Sequence, residues 1–162
     1  MQKITPCLWF DAQAEEAAKL YTSIFPNSKM GTVSRYGKEG FEFHHMPEGT
    51  AMVANFQLQG QDFMALNGGP SFKFSEAISF VVDCETQEEV DMYWNKLTAD
   101  GGQESQCGWL KDKFGMSWQI TPRILNELMA DPDKVKAGRV MNAMLQMKKI
   151  DIAEIKKAYD GK

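Results

Sequence analysis

One carboxylate stands out by its surroundings. Glu76 closes a stretch that runs Asn67-Gly68-Gly69-Pro70, Phe72, Phe74, rich in turn and aromatic residues. A carboxylate desolvated among aromatic rings has its pKa raised, which suits a general acid or base near pH 7. Proton abstraction beside a carbonyl is the chemistry such a group would serve, and Glu76 is the catalytic candidate. The alternative is an ion pair with a cation such as Lys73 or Arg123, which would make Glu76 structural. Asn67 and Gln119 are the polar groups that would orient a substrate. Trp9, Trp109 and Trp118 fall on strand-like segments, together with Phe10, Phe63, Phe80 and Phe114. Alternation along a strand sends some of these rings to a cleft, and a mostly apolar cleft with few polar groups is what a small-molecule pocket requires. The expected ligand-binding set is Trp9, Asn67, Phe74, Trp109, Trp118 and Gln119. Gly68-Gly69-Pro70 is at the least a connecting turn.

Other reactive side chains offer less. His44 and His45 are adjacent, so on a strand they point to opposite faces and cannot chelate together. They sit in a polar stretch, Gly37 to Thr50, where solvated loop histidines are expected, although one could reach a cleft as a titrating group. Cys107 stands beside Gly108 and Trp109 with no base nearby in sequence, and a nucleophilic thiol needs one. Cys7 and Cys84 read as core. Three cysteines without a CxxC spacing argue against a disulfide framework and for a reducing compartment.

These residues must be positioned by a repeated element order. Ile4 to Asp11 (ITPCLWFD) and Ala77 to Asp83 (AISFVVD) read as short buried strands ending in aspartate, 72 residues apart. A helix follows each. Ala14 to Phe25 puts Ala17, Leu20, Tyr21, Ile24 and Phe25 on one face, and Thr86 to Leu97 puts Val90, Tyr93, Trp94 and Leu97 on another. Thr86 followed by Glu89 has the spacing of a capping box. Strand-like segments come next: Lys29 to Tyr36, Ala51 to Leu58 and Asp62 to Asn67 in the first half. In the second, Gly108 to Lys111 and Met116 to Thr121 flank the turn Asp112-Lys113-Phe114-Gly115. From Gly60 to Gly115 the offset falls to 55, so the first half carries about seventeen extra residues, placed in Gly37 to Thr50. Each half therefore reads β-α-β-β-β, and the chain divides into a first module (1–70), a second (71–122) and a C-terminal helical extension (123–162). In that extension Val140, Met144 and Met147 form a stripe that packs on the body or on another subunit.

The β-α-β-β-β repeat, with the segments ITPCLWFD, FPNS, ALNGGP, EAISFVV, CGWLKDKFG and SWQITP, resembles the vicinal-oxygen-chelate (glyoxalase/bleomycin-resistance) superfamily. Within it the closest pattern is the PhnB-like subgroup, often labelled 3-demethylubiquinone-9 3-methyltransferase. The resemblance implies an α+β fold of two modules forming an open barrel or cleft that holds a small ligand, often beside a divalent metal. Metal-dependent members carry His, Glu or Gln on the opening and last strands of each module. The matching positions here are Ile4, Glu76, Met64 and Gln119. Ile4 has no donor atom and Met64 only a soft thioether, so no tightly held metal and no cofactor are expected. A glycine-rich methyl-donor cradle inside a parallel sheet is not evident either.

Composition bounds the rest. The formal charge is −4 with both signs interspersed, which gives no field for gripping phosphate backbones, so no nucleic acid is expected. No run approaches the length of a membrane span, and the first residues lack the basic and apolar regions of a signal peptide. A cytoplasmic protein, a homodimer through the C-terminal extension, and a small-molecule ligand are expected. Binding without turnover is the first functional reading. The alternatives are a vicinal-oxygen-chelate enzyme using Glu76 as acid or base, and methyl transfer as the subgroup's label says.

Overall fold

In the computed structural model, residues 3–162 are described, and the chain forms two compact units, Met1–Phe74 and Ser75–Lys162. The first unit holds strands β1 (Cys7–Phe10), β2 (Lys29–Arg35), β3 (Ala51–Leu58) and β4 (Gln61–Asn67), with helix α1 (Ala14–Ile24) and the one-turn helix α2 (Phe41–His44). Its sheet runs β1-β4-β3-β2, with β1 parallel to β4 and the other pairs antiparallel. The second unit repeats this with β5 (Ser79–Cys84), β6 (Gln103–Glu104), β7 (Trp109–Lys111) and β8 (Ser117–Pro122) in the order β5-β8-β7-β6, and with helix α3 (Gln87–Thr98). Helices α4 (Arg123–Met129), α5 (Lys134–Met144) and α6 (Ile152–Asp160) complete it. This is the α+β fold of paired modules with appended helices.

Each sheet buries one face beneath its helix. In the first unit Leu8, Phe10, Ala54, Phe56, Phe63 and Ala65 lie under Ala17, Ala18, Tyr21 and Ile24 of α1. Asn67 closes this layer at the end of β4. Its side-chain oxygen accepts the Ala14 N–H at 2.7 Å, and its amide nitrogen donates to the Ala51 carbonyl at 2.9 Å. The first helix is thus capped from β4, because Gln13 offers no side-chain cap. In the second unit Leu110, Trp118 and Ile120 lie under Val90, Tyr93, Trp94 and Leu97. Here the cap is local: Thr86 accepts the Glu89 N–H, as the capping box predicts. The Glu89 carboxylate, however, accepts from Glu85 N–H, at 2.7 Å.

Both tight turns are built as their residues require. Gln59 and Gly60 have φ of 48° and 86°, the paired left-handed geometry of a two-residue hairpin. Asp112 organises the other turn: one carboxylate oxygen accepts the N–H groups of Phe114 and Met116, and the other accepts the Trp118 indole N–H at 2.9 Å.

The two halves differ in register. Cys7 pairs with Met64, whereas Val81 pairs with Gln119. Met64 and Gln119 match by their turns, so Cys7 corresponds to Val81 in the sheets, 74 residues on, although the opening motifs align at 72. An even slip keeps every side chain on the face its pattern assigns. Differences from the sequence expectation are local. β1 begins at Cys7, three residues late; α2 interrupts the stretch expected to be loop; and Cys7 is exposed, not core. The Met stripe packs inward: Val140 joins Leu125, Ile150 and Ile155 in a buried cluster, with Met144 and Met147 against it.

Candidate functional site

The helix-free face of the second sheet carries the odd-numbered residues: Ser79 and Val81 on β5, Trp109 and Lys111 on β7, Ser117 and Gln119 on β8. Pairing sets them in rows, Trp109 opposite Gln119 opposite Val81, and Lys111 opposite Ser117 opposite Ser79. A cavity of about 150 Å³ opens at the second row, lined by Glu76, Ser105, Trp109, Lys111 and Ser117, with Gln103 and Glu104 at its β6 side. Lys111 Nζ meets Glu76 Oε1 at 2.5 Å, and Gln119 donates its amide N–H to the Ser79 hydroxyl at 2.8 Å. Ser117 is 1 % exposed, and among the described residues its hydroxyl has no hydrogen-bond partner. A buried polar group without a partner costs roughly 1–3 kcal/mol.

The candidates from sequence are redistributed. Trp9, Asn67 and Phe74 belong to the first unit, and Glu76, Trp109, Trp118 and Gln119 to the second. Trp118 lies on the helix-facing side of β8, 2 % exposed, with its indole N–H held by Asp112. It shares the parity of Ile120, not that of Gln119. Asn67 has both ends of its amide committed to backbone and is 1 % exposed, so it has little to offer a ligand. Phe74 makes an edge contact with Phe10, ring centroids 5.2 Å apart. Trp9 meets the Phe72 ring edge-on at 4.9 Å and donates its indole N–H to the Gly69 carbonyl at 2.9 Å.

The environment expected for Glu76 is corrected. Its side chain is 64 % exposed, and the hydrogen bond from Lys111, followed by one to backbone, lowers its pKa from the ordinary carboxylate range. The cause that was to raise it, desolvation, is the smallest contribution here. Glu76 is an ionised carboxylate at neutral pH. Its partner is Lys111 rather than Lys73 or Arg123; Arg123 instead holds Asp83 at 2.9 Å and Glu85 at 3.0 Å.

Sequence reasoning missed Lys111, Ser117 and Ser79. The signal for two of them was the strand period: Lys111 follows Trp109, and Ser117 precedes Gln119, by two residues, so each shares that residue's face. Ser79 required the parallel pairing of β5 with β8, which no local pattern encodes.

Other reactive groups lie elsewhere. His44 accepts the Met46 N–H through Nδ1 at 2.9 Å, with Nε2 3.1 Å from the Glu39 carbonyl. A carbonyl only accepts, so Nε2 is the donor in that contact, and the ring lies tilted 4.4 Å from Tyr36. Burial, with the nearby charges of Glu89 and Asp83, pushes the Cys84 thiol up to about 12. The four positions that correspond to metal ligands do not fit a divalent ion. Ile4 and Met64 supply no hard donor, Glu76 is engaged by Lys111 and Gln119 by Ser79. Among the described residues no three His, Cys, Asp or Glu side chains gather as a metal site.

Residues 2–121 match the family described as 3-demethylubiquinone-9 3-methyltransferase. A solved structure from Bacillus cereus, described as a PhnB protein with that same name, is 41 % identical over 75 % of this chain and 99 % of its own, with a TM-score of 0.67. This chain is a member of the PhnB-like family. Its fold is also that of a Pseudomonas aeruginosa protein, 20 % identical over 75 % of this chain and 98 % of that one, TM-score 0.54. The fosfomycin resistance protein FosX of Listeria monocytogenes shares the fold too, at 14 % identity, 78 % and 97 % coverage and a TM-score of 0.51. These last two likenesses are of fold alone. No curated protein matches it. Helices α4 to α6 lie beyond the residues that match the family.

Proposed function

We propose that this PhnB-like protein binds a small organic molecule on the helix-free face of its second sheet, against Trp109 and within reach of Lys111, Ser117 and Gln119, without a tightly held metal. The observation that carries the reading is the Ser117 hydroxyl, buried at a cavity with no protein partner. A natural sequence tolerates such a group chiefly where something else completes it. The cavity is less aromatic than the sequence suggests, with Trp109 its one large ring.

Turnover is the weaker alternative. Acid catalysis by Glu76 needs a raised pKa, and its pKa moves the other way. Methyl transfer is weaker still. Methyl donors are usually cradled where a glycine-rich turn follows a strand of a larger parallel sheet, and each sheet here has a single parallel pair. The test is a fragment screen by two-dimensional NMR on the full chain, read at the Trp109 indole and at the Ser117 amide. Hits that move both signals and fail against Trp109→Ala support the reading. A screen in which no fragment moves either signal sinks it.

A homodimer belongs to the same proposal. Val135, Met141 and Leu145 of the α5 segment are 69, 37 and 56 % exposed, and the last two, four residues apart, are neighbours on the helix surface. Light scattering is expected to give twice the chain mass, reverting to one chain mass in Leu145→Asp. A monomer at all concentrations would overturn it.

A further inference from the structure

We propose that the cavity of the second unit takes a small zwitterion, an α-amino acid or a molecule with the same head group, its carboxylate on Lys111 and the Ser117 hydroxyl and its ammonium on Glu76. The inference rests on the small-ligand reading above and adds the ligand's chemical class.

The charges at the cavity are balanced. Lys111 and Glu76 face each other at 2.5 Å. The third charged residue there, Glu104, is turned to the helix side, where it accepts the Trp94 indole N–H at 2.9 Å and stands 3.7 Å from Lys148. A simple anion bound at Lys111 would displace Glu76 and leave a second negative charge beside it. A simple cation bound at Glu76 would strand Lys111. A zwitterion replaces each end of the pair with its own opposite charge and leaves neither unpaired.

The pair is easily opened. It is partly exposed, 34 % at Lys111 and 64 % at Glu76, and ion pairs of that kind hold only weakly. Ser117 supplies the asymmetry. A hydroxyl donates readily to a carboxylate oxygen, and Ser117 lies directly opposite Lys111 in the β7–β8 pairing. The carboxylate end therefore belongs at Lys111 and Ser117, and the ammonium end at Glu76. Size agrees as well. About 150 Å³ is the liquid volume of roughly five water molecules, enough for the head group while the remainder lies along Trp109.

The experiment compares L-phenylalanine with its two half-molecules, 3-phenylpropionate and 2-phenylethylamine, by NMR titration of the 162-residue chain. The amino acid should bind about tenfold more tightly than either half, a difference of about 1.4 kcal/mol. Its shifts should centre on Lys111, Ser117 and the Trp109 indole. Glu76→Gln, at an exposed position where folding is not at stake, should erase the advantage over 3-phenylpropionate and spare 3-phenylpropionate binding itself. If a half-molecule moves these signals and binds as tightly as the amino acid, the zwitterion assignment is wrong and the small-ligand site stands. If none of the three moves them while other fragments do, the assignment is again wrong. If neither these nor any fragment moves them, both readings fall.

Discussion

Asn67 is the sharpest test of the separation between structure and site. Replacing it with alanine removes the acceptor of the Ala14 N–H and the donor to the Ala51 carbonyl, at 2.7 and 2.9 Å. Both bonds are buried, so water cannot replace them without entering the α1–sheet layer. Each orphaned backbone group costs about 1–3 kcal/mol, which puts the total at about 2–6 kcal/mol. The Tyr36 hydroxyl bond to the Asn67 backbone carbonyl, 2.6 Å, survives the substitution. Urea unfolding followed by circular dichroism measures the loss. With a slope of about 2 kcal/mol per molar, the midpoint of the transition reporting the first unit should fall by about 1–3 M. Asn67→Asp keeps the acceptor for Ala14 but turns a carboxylate oxygen on Ala51, so it should fall between wild type and Asn67→Ala. An Asn67→Ala protein with wild-type stability would show that these two bonds do not hold the first unit, and would return Asn67 to the list of ligand contacts.

Three further outcomes are expected. A Cβ added at Gly68 would overlap the Trp9 indole, which its bond to Gly69 holds in place; Gly68→Ala should cost about 1–3 kcal/mol, and a double-mutant cycle with Trp9→Ala should recover most of it. If the two losses simply add, the overlap is not their cause. Lys149, followed by Gln87, holds the Asp91 carboxyl below its ordinary pKa; a depressed folded-state pKa gives stability that is present above the unfolded value of about 4 and lost as pH falls through the folded one. The effect is small because the pair is partly exposed, and the melting temperature of Asp91→Asn should fall less than that of wild type between about pH 5 and 3; parallel curves would exclude a role for the pair. With its thiol pushed up to about 12, Cys84 should resist maleimide at pH 8 until the protein unfolds while exposed Cys7 reacts; equal rates in the folded state would refute its burial.

How far the sequence could be read depended on the range of the interaction. The β-α-β-β-β order, the Gln59-Gly60 turn and the Thr86 cap rest on neighbours within four residues, and all three are present. Trp118 follows its parity with Ile120 and lies on the helix-facing side, so strand alternation divides the expected aromatic set. Glu76 departs from its expected surroundings. Aromatic neighbours in sequence are not neighbours in space: Phe74 turns to Phe10, while Lys111, distant along the chain, reaches Glu76 across the sheet face. Asn67 and Ser117 gain their meaning from pairings 53 and 38 residues long, Asn67 to Ala14 and Ser117 to the parallel strand at Ser79.

The C-terminal helices bear on how the family's shared body can be handled. The Cys107 and Gly108 N–H groups donate to the Met147 and Lys148 carbonyls, both at 2.7 Å, and Gln87 exchanges two bonds with the backbone of Ile150 and Ile152. A Cβ at Gly108 would press on Ile150 Cγ1 at 3.2 Å as well as on the Ile120 carbonyl oxygen at 2.8 Å. Trimmed back to the residues that match the family, this chain would leave Cys107, Gly108 and Gln87 without those partners and strip Leu125, Val140, Ile150 and Ile155 from the unit. The rim of the cavity at Ser105 and Trp109 would lose its brace in the same cut. What looks like an optional tail is, for this member, the support of the turn that leads into β7.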